Sequence, residues 1–161
     1  MFHRLIHTSD DAALALLRVV LGVVFFAHGA QKMLGWFGGA GYAGTMSMFT
    51  HNLGIPAVFA VLAILAEFLG GIGLILGFLS RIAAFAIAVN MLVAVFLVHL
   101  PNGFFMNWTG NKGGEGFEYH LLAIVIALTV MVRGAGAVSV DRALESPRPI
   151  HPHAYPAPLR G

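Results

Sequence analysis

The chain has 161 residues, of which 58% are hydrophobic and only 10% charged, with a mean hydropathy of +0.85. A soluble domain carries roughly 25% charged residues, so these numbers exclude a water-covered globule, and they are equally far from a disordered chain. The formal net charge is +2 and there is no cysteine, which excludes disulfides, thiol catalysis and thiolate metal sites, while scattered arginines offer nucleic acid no basic face.

A membrane helix needs about 20 mostly apolar residues at about 1.5 Å each. Taken in chain order, the first such stretch runs from about Ala13 to Trp36. It does not read as a signal peptide, being too long and interrupted by Arg18. A segment rich in glycine and small residues follows, Phe37 to Gly54, with a short interfacial helix expected at Thr45 to Thr50. The second span runs from about Ile55 to Phe78, with Pro56 placed where a helix can begin. Leu79-Ser80-Arg81 reads as a tight hairpin into the third span, Ile82 to Leu100, which is expected to stop before Pro101. Asn102 to Gly116 reads as an ordered loop, and Phe117 to Val132 as the fourth and shortest span. From Ser146 onward, Pro147, Pro149, Pro152, Pro156 and Pro158 predict an extended or disordered tail.

The expected fold class is therefore an all-α membrane protein, a bundle of four transmembrane helices. Arg4, Arg81, Arg133, Arg142 and Arg148 fall on one side of it, and Lys32 and Lys112 on the other. Positive residues favour the cytoplasm, so both termini are expected inside. Trp36, Phe37, Phe104, Phe105, Trp108 and Phe117 then form an aromatic belt at the outer interface.

Charged groups inside a membrane helix cost several kcal/mol unless paired or solvated. The first span holds Arg18, His28 and Lys32; the second holds Glu67; the third holds Asn90 and ends in His99. The fourth opens with Glu115, Glu118 and His120. Gly70, Gly71, Gly73 and Gly77 on the second span permit a close neighbour. Depth brings some of these groups together. His28 lies about 12 Å in from Trp36, and Glu67 about 16 Å in from Pro56, at helical rise from the same side. Lys32, His99 and Glu118 lie nearer that outer surface. His28, Lys32, Glu67, His99 and Glu118 can thus line one polar chamber opening outward.

Two readings of the chamber compete. One is an ion-pair network, Lys32 with Glu67 or Glu118, that fixes helix register. The other is a ligand site that holds a polar head group, such as a quinone carbonyl, and moves protons, work suited to histidine and to carboxylates in apolar surroundings. In the second reading His28, Lys32, Glu67 and Glu118 are the catalytic groups, His28 and Lys32 touching the quinone oxygens and Glu67 and Glu118 setting charge and relaying protons, while His99 sits at the mouth. Arg18 and Arg81 read as structural polar groups that snorkel or touch lipid phosphate, and Asn90 as an interhelical hydrogen-bonding group. His51 has no assigned role, and His151 and His153 sit in the proline-rich tail. There is no metal motif, and His28 and His99 differ in depth, which argues against a haem.

The order of several segments resembles the DoxX family of small bacterial membrane proteins. They are Arg18-Val-Val-Leu-Gly22, then His28-Gly-Ala-Gln-Lys32-Met-Leu-Gly35-Trp-Phe-Gly-Gly, and Glu67-Phe-Leu-Gly-Gly71 with Gly77 and Arg81. His99-Leu-Pro-Asn-Gly103-Phe-Phe-Met and Gly113-Gly-Glu-Gly-Phe-Glu118 complete the set. The similarity covers about Ala13 to Gly136. It implies a cytoplasmic N-terminus over residues 1–12, a membrane domain over 13–136 and a proline-rich cytoplasmic tail over 137–161 of a multi-pass protein in the bacterial cytoplasmic membrane. It also implies association with oxidoreductases, since relatives look like the membrane subunit of thiosulfate:quinone oxidoreductase and others are tied to redox stress. The expected cofactor is a quinone, with none intrinsic evident. The expected partners are the lipid bilayer, a redox subunit and a second copy of the chain. The alternative is a non-enzymatic assembly factor, structural subunit or small-solute carrier.

Overall fold

The computed structural model describes residues 2–145, and the proline-rich tail with its two histidines lies outside them. The described residues are helical, with no strand among them. In chain order the helices are α1 (Phe2–Ile6), α2 (Ala12–Leu34), α3 (Gly41–Ser47), α4 (Ala57–Leu76), α5 (Ser80–Ala94), α6 (Glu118–Arg133) and α7 (Val140–Leu144). Three helical stretches are long and apolar enough to cross a membrane: Ala12–Leu34, Ala57–Leu76 and Ser80–Asn102. The last includes a π-helical turn, Val95–His99, and a 3-10 turn, Leu100–Asn102, so the third stretch runs through Pro101 instead of stopping before it. A proline at the start of a new turn gives up an N–H that has no helical partner there anyway. α6 has 16 residues, about 24 Å at helical rise. The short helix of the first loop begins at Gly41, earlier than Thr45, and passes into a π-helical turn at Met48–Asn52.

Each long helix has a local reason to start and stop. The Asp11 side chain accepts from the Leu14 N–H at 3.0 Å and caps α2, which ends where Gly35 turns left-handed (φ 73°). α4 follows Pro56 and ends at Gly77, also left-handed (φ 69°). At Gly77 a Cβ would also collide with Ser139 and the Arg18 guanidinium, so glycine is required there twice over.

α2 packs most extensively against α4. The reason is a glycine seam: the Gly29 backbone lies against Phe68 and Glu67, and the Gly71 backbone lies against Phe25 and Phe26. Without a hydrophobic drive between helices in lipid, such close approach is what van der Waals packing rewards. Replacing Gly71 with leucine puts a side chain into the Phe26 backbone, and the melting temperature in detergent should fall by several degrees. An unchanged transition would rule out this seam. Phe25, Leu74, Ile87, Met91, Ala127 and Val130 fill the centre of the bundle. Val58, Phe59, Phe85, Phe96, Leu122 and Val125 are exposed on its outside, the apolar surface a bilayer covers.

The two ends of the described chain meet beneath the bundle. Arg18 is 1% exposed and does not snorkel, contrary to the sequence-based expectation. Its guanidinium donates to the carbonyls of Leu74 (2.5 Å), Ile75 (3.0 Å), Ala135 (2.7 Å) and Val138 (3.0 Å). It thereby adds a donor to the carbonyls at the end of α4, where Leu74 also accepts from the Gly77 N–H, and fastens the segment after α6 to them. Arg81 likewise donates to Met131 (2.5 Å) and Val132 (2.8 Å) at the end of α6, and to His7 (3.0 Å). Asp141, buried on α7, accepts from the backbone N–H groups of Leu79 (2.7 Å) and Ser80 (2.9 Å) and caps α5. Residues 137–145 are therefore docked on the bundle, where the sequence suggested the tail already began. Ion pairs from Arg133 to Asp11, Arg142 to Asp10 and His7 to Glu145 close the same face.

Candidate functional site

At the opposite end of the bundle the polar groups converge on Glu67. It projects from the middle of α4 and is 5% exposed. Both carboxylate oxygens are engaged. Lys32, in the last turn of α2, places Nζ 2.5 Å from Oε2, and Asn90 of α5 donates from Nδ2 to Oε1 at 3.0 Å. The Gly29 seam brings the α2 and α4 backbones close enough for a lysine one turn further along to reach a mid-helix glutamate. A buried carboxylate paired on one oxygen and hydrogen-bonded on the other is the arrangement that makes such a charge tolerable.

A second group lies on the start of α6. Tyr119 is within electrostatic reach of Glu67 but makes no hydrogen bond to it. Its ring lies 6.5 Å from His28 and 5.4 Å, edge-on, from His120. His120 in turn lies 3.9 Å, centre to centre, from His99. His99 sits where the π-helical turn ends, and its Nδ1 is 2.9 Å from the Glu115 carbonyl. Turns of this kind recur at functional positions because they re-aim a side chain within a continuous helix. The result is a run of rings, His28, Tyr119, His120 and His99, that ends at the loop over residues 102–116; His28, at its other end, is exposed and does not point into a chamber as the sequence suggested. His120 is 6% exposed, and no protein group among the described residues satisfies its Nδ1 or the Tyr119 hydroxyl.

Glu118 does different work. Its carboxylate accepts from the Met106 backbone N–H at 2.9 Å, and Glu115 does the same for Asn107 at 2.6 Å. The two acids pin the loop over residues 102–116, which Asn107 and Lys112 further tie through reciprocal bonds of 3.0 Å. The structure thus brings Lys32, Glu67 and Asn90 into direct contact, places His28 and His99 at the two ends of the ring group, and puts Glu118 in the loop's anchor. Tyr119 is the member that sequence reasoning passed over, and His120, named there among the polar groups opening the fourth span, was given no part in the chamber. Their one signal was position: they follow Glu118 directly at the mouth of a helix that must bury polar groups. Among the described residues no set of three or more His, Asp or Glu side chains is arranged to hold a metal ion.

The family model for DoxX matches residues 13–100, which carry α2, α4, α5, Lys32, Glu67 and Asn90. The chain belongs to the DoxX family. Among its relatives this DoxX protein is 30% identical over 135 residues to the inner membrane protein YqjF of Escherichia coli, spanning 84% of this chain and 94% of YqjF. It is 31% identical over 123 residues to CatD of Bacillus subtilis, provisionally named an oxidoreductase, covering 75% of this chain and 81% of CatD. It is also 29% identical over 152 residues to the uncharacterized membrane protein Rv3486 of Mycobacterium tuberculosis, covering 88% of this chain and 86% of that protein. No solved structure matches the chain. With its apolar spans and this kinship, the DoxX chain is a multi-pass inner-membrane protein.

Proposed function

We propose that this DoxX protein is the membrane component of a quinone-linked oxidoreductase or redox-stress system, holding a quinone or a similar small polar ligand in the outer half of its bundle. The observation that carries the reading is Glu67. An ionised group deep in a membrane bundle is expensive and is kept for a purpose, and here it lies within electrostatic reach of Tyr119, which like its neighbour His120 has a buried polar atom to spare. Those atoms are the right kind for a quinone: the Tyr119 hydroxyl donates to a carbonyl oxygen, His120 can donate or accept, and Lys32 supplies positive charge. A bound quinone would supply the two-electron chemistry that this cysteine-free chain lacks. The chain's own residues do the rest. Lys32 and Asn90 orient the Glu67 carboxylate, His99 connects the group to the outer loop, and the apolar exterior admits a ligand dissolved in lipid.

In this reading α6 completes a bundle of four spans, its 16 residues extended at each end by interfacial backbone, with Phe104, Phe105 and Trp108 at the outer surface. Both chain ends face the cytoplasm, on the side of Arg81, Arg133 and Arg142. Reporter fusions at Gly41 and Gly161 should mark opposite sides of the membrane; the same side for both would refute this topology.

The direct test is ligand capture. Purified protein titrated with ubiquinone-1 should quench its tryptophan fluorescence saturably, and Glu67→Gln, which keeps the shape and removes the charge, should weaken binding about tenfold or more. A non-redox membrane scaffold or solute carrier predicts no saturable quinone binding, or binding indifferent to Glu67.

A further inference from the structure

The only buried side-chain nitrogen or oxygen atoms without a partner among the described residues are on Ser9, Ser80, Arg81, Tyr119 and His120. The first three lie at the inner face, around the junction of the chain ends. Tyr119 and His120 are consecutive, lie at the other end, and belong to the group of rings that runs from His28 to His99. A buried hydroxyl left without a partner costs the fold about 1–3 kcal/mol, and such groups persist in native proteins where they serve binding or chemistry.

Building on the quinone reading, we propose that the Tyr119 hydroxyl and the His120 Nδ1 are the hydrogen-bonding contacts for the ligand's ring oxygen, while Lys32, Glu67 and Asn90 form the charged wall behind it. The geometry selects the ligand's class. The group is made of rings packed on one another, His28 and His99 flanking Tyr119 and His120, and a flat ligand matches such a neighbourhood better than a globular one. Tyr119 offers a donor and His120 offers either role according to tautomer. A planar ring bearing an oxygen that accepts as a carbonyl and donates as a phenol suits both. An aliphatic acid or an inorganic anion would satisfy neither the shape nor the reversal of roles. Glu118 has no part in this contact because its carboxylate is engaged by Met106.

This assignment makes two changes move in opposite directions. Tyr119→Phe removes one oxygen and keeps the ring. In protein purified without added quinone it should raise the melting temperature by about 2–4 °C, because the unsatisfied hydroxyl is gone. Its ubiquinone-1 dissociation constant should rise about tenfold. His120→Phe keeps a ring against His99 and should weaken binding to a similar degree. Wild-type binding that is lost in Glu67→Gln but unchanged in Tyr119→Phe or His120→Phe would overturn this inference and leave the quinone reading standing. A lower melting temperature for Tyr119→Phe would overturn it as well, since the hydroxyl would then support the fold. Absence of ubiquinone-1 binding to the wild-type protein would overturn both.

Discussion

Replacing Arg18 with leucine should cost about 3–5 kcal/mol and lower the melting temperature in detergent by roughly 10 °C, with much less folded protein recovered from membranes. The size follows from what one side chain holds. Its guanidinium serves carbonyls at the end of α4 and others in the segment after α6, two of these bonds buried and two part-buried. Leucine fills part of the space and supplies no donor, so several carbonyls lose their partners at once, and the nearby Asp141 loses an attractive positive charge. Arg18→Lys should recover only part of the loss, because an ammonium is a point donor without the planar fork that spans separate carbonyls. Arg81→Leu should be milder, since its bonds to Val132 and His7 are exposed. Thermal denaturation of the three variants in one detergent decides the matter. An Arg18→Leu transition within a degree or two of wild type would show that this end of the bundle is held together by something else.

The second large effect is expected at Lys32. Lys32→Met removes the partner of a carboxylate that is 5% exposed, and breaking a buried pair from one side costs about 3–5 kcal/mol. The double variant Lys32→Met/Glu67→Gln removes both charges and should regain most of that stability, because two neutral side chains of similar volume leave no uncompensated ion. Asn90 can still hydrogen-bond to the new amide. Quinone binding should not return with stability, since the charged wall is gone. A double variant that stays as unstable as Lys32→Met would refute the pairing as the source of the loss. One that regains binding along with stability would reduce the pair to a structural fastening of α2 to α4.

The long helices were legible because span length is a bulk property: about 20 apolar residues announce themselves whatever they pack against. Their ends were legible to within a few residues where a turn has its own chemistry, as at Gly35 and Gly77. Counting rise from Trp36 and Pro56 set His28 and Glu67 at similar depth and Lys32 nearer the surface, yet it is Lys32, on its long stem, that lies in contact with Glu67. Glu118 could not be placed in the same way. Its partner, Met106, belongs to a loop whose path back over the helix start has no periodicity to read. Tyr119 passes unnoticed because a tyrosine near the end of a membrane helix ordinarily marks the interface, and only the packing of α6 turns its hydroxyl inward. Arg18 misled for a related reason. An arginine near a span's inner end snorkels when water is the nearest relief, but here carbonyls from distant parts of the chain are nearer.

Those carbonyls set a schedule for biosynthesis. Arg18 leaves the ribosome 120 residues ahead of Val138, to which it donates. At about 5–20 residues per second, that is a delay of roughly 6–25 s. α5 likewise waits for its cap until Asp141 is made. During that interval the first span carries an unsheltered cation in the membrane, within reach of lipid phosphates or other nascent helices. The bundle is therefore finished from its last stretch of chain backward, and a ribosome that stalls between α6 and α7 leaves an inserted protein whose Arg18 end is still open.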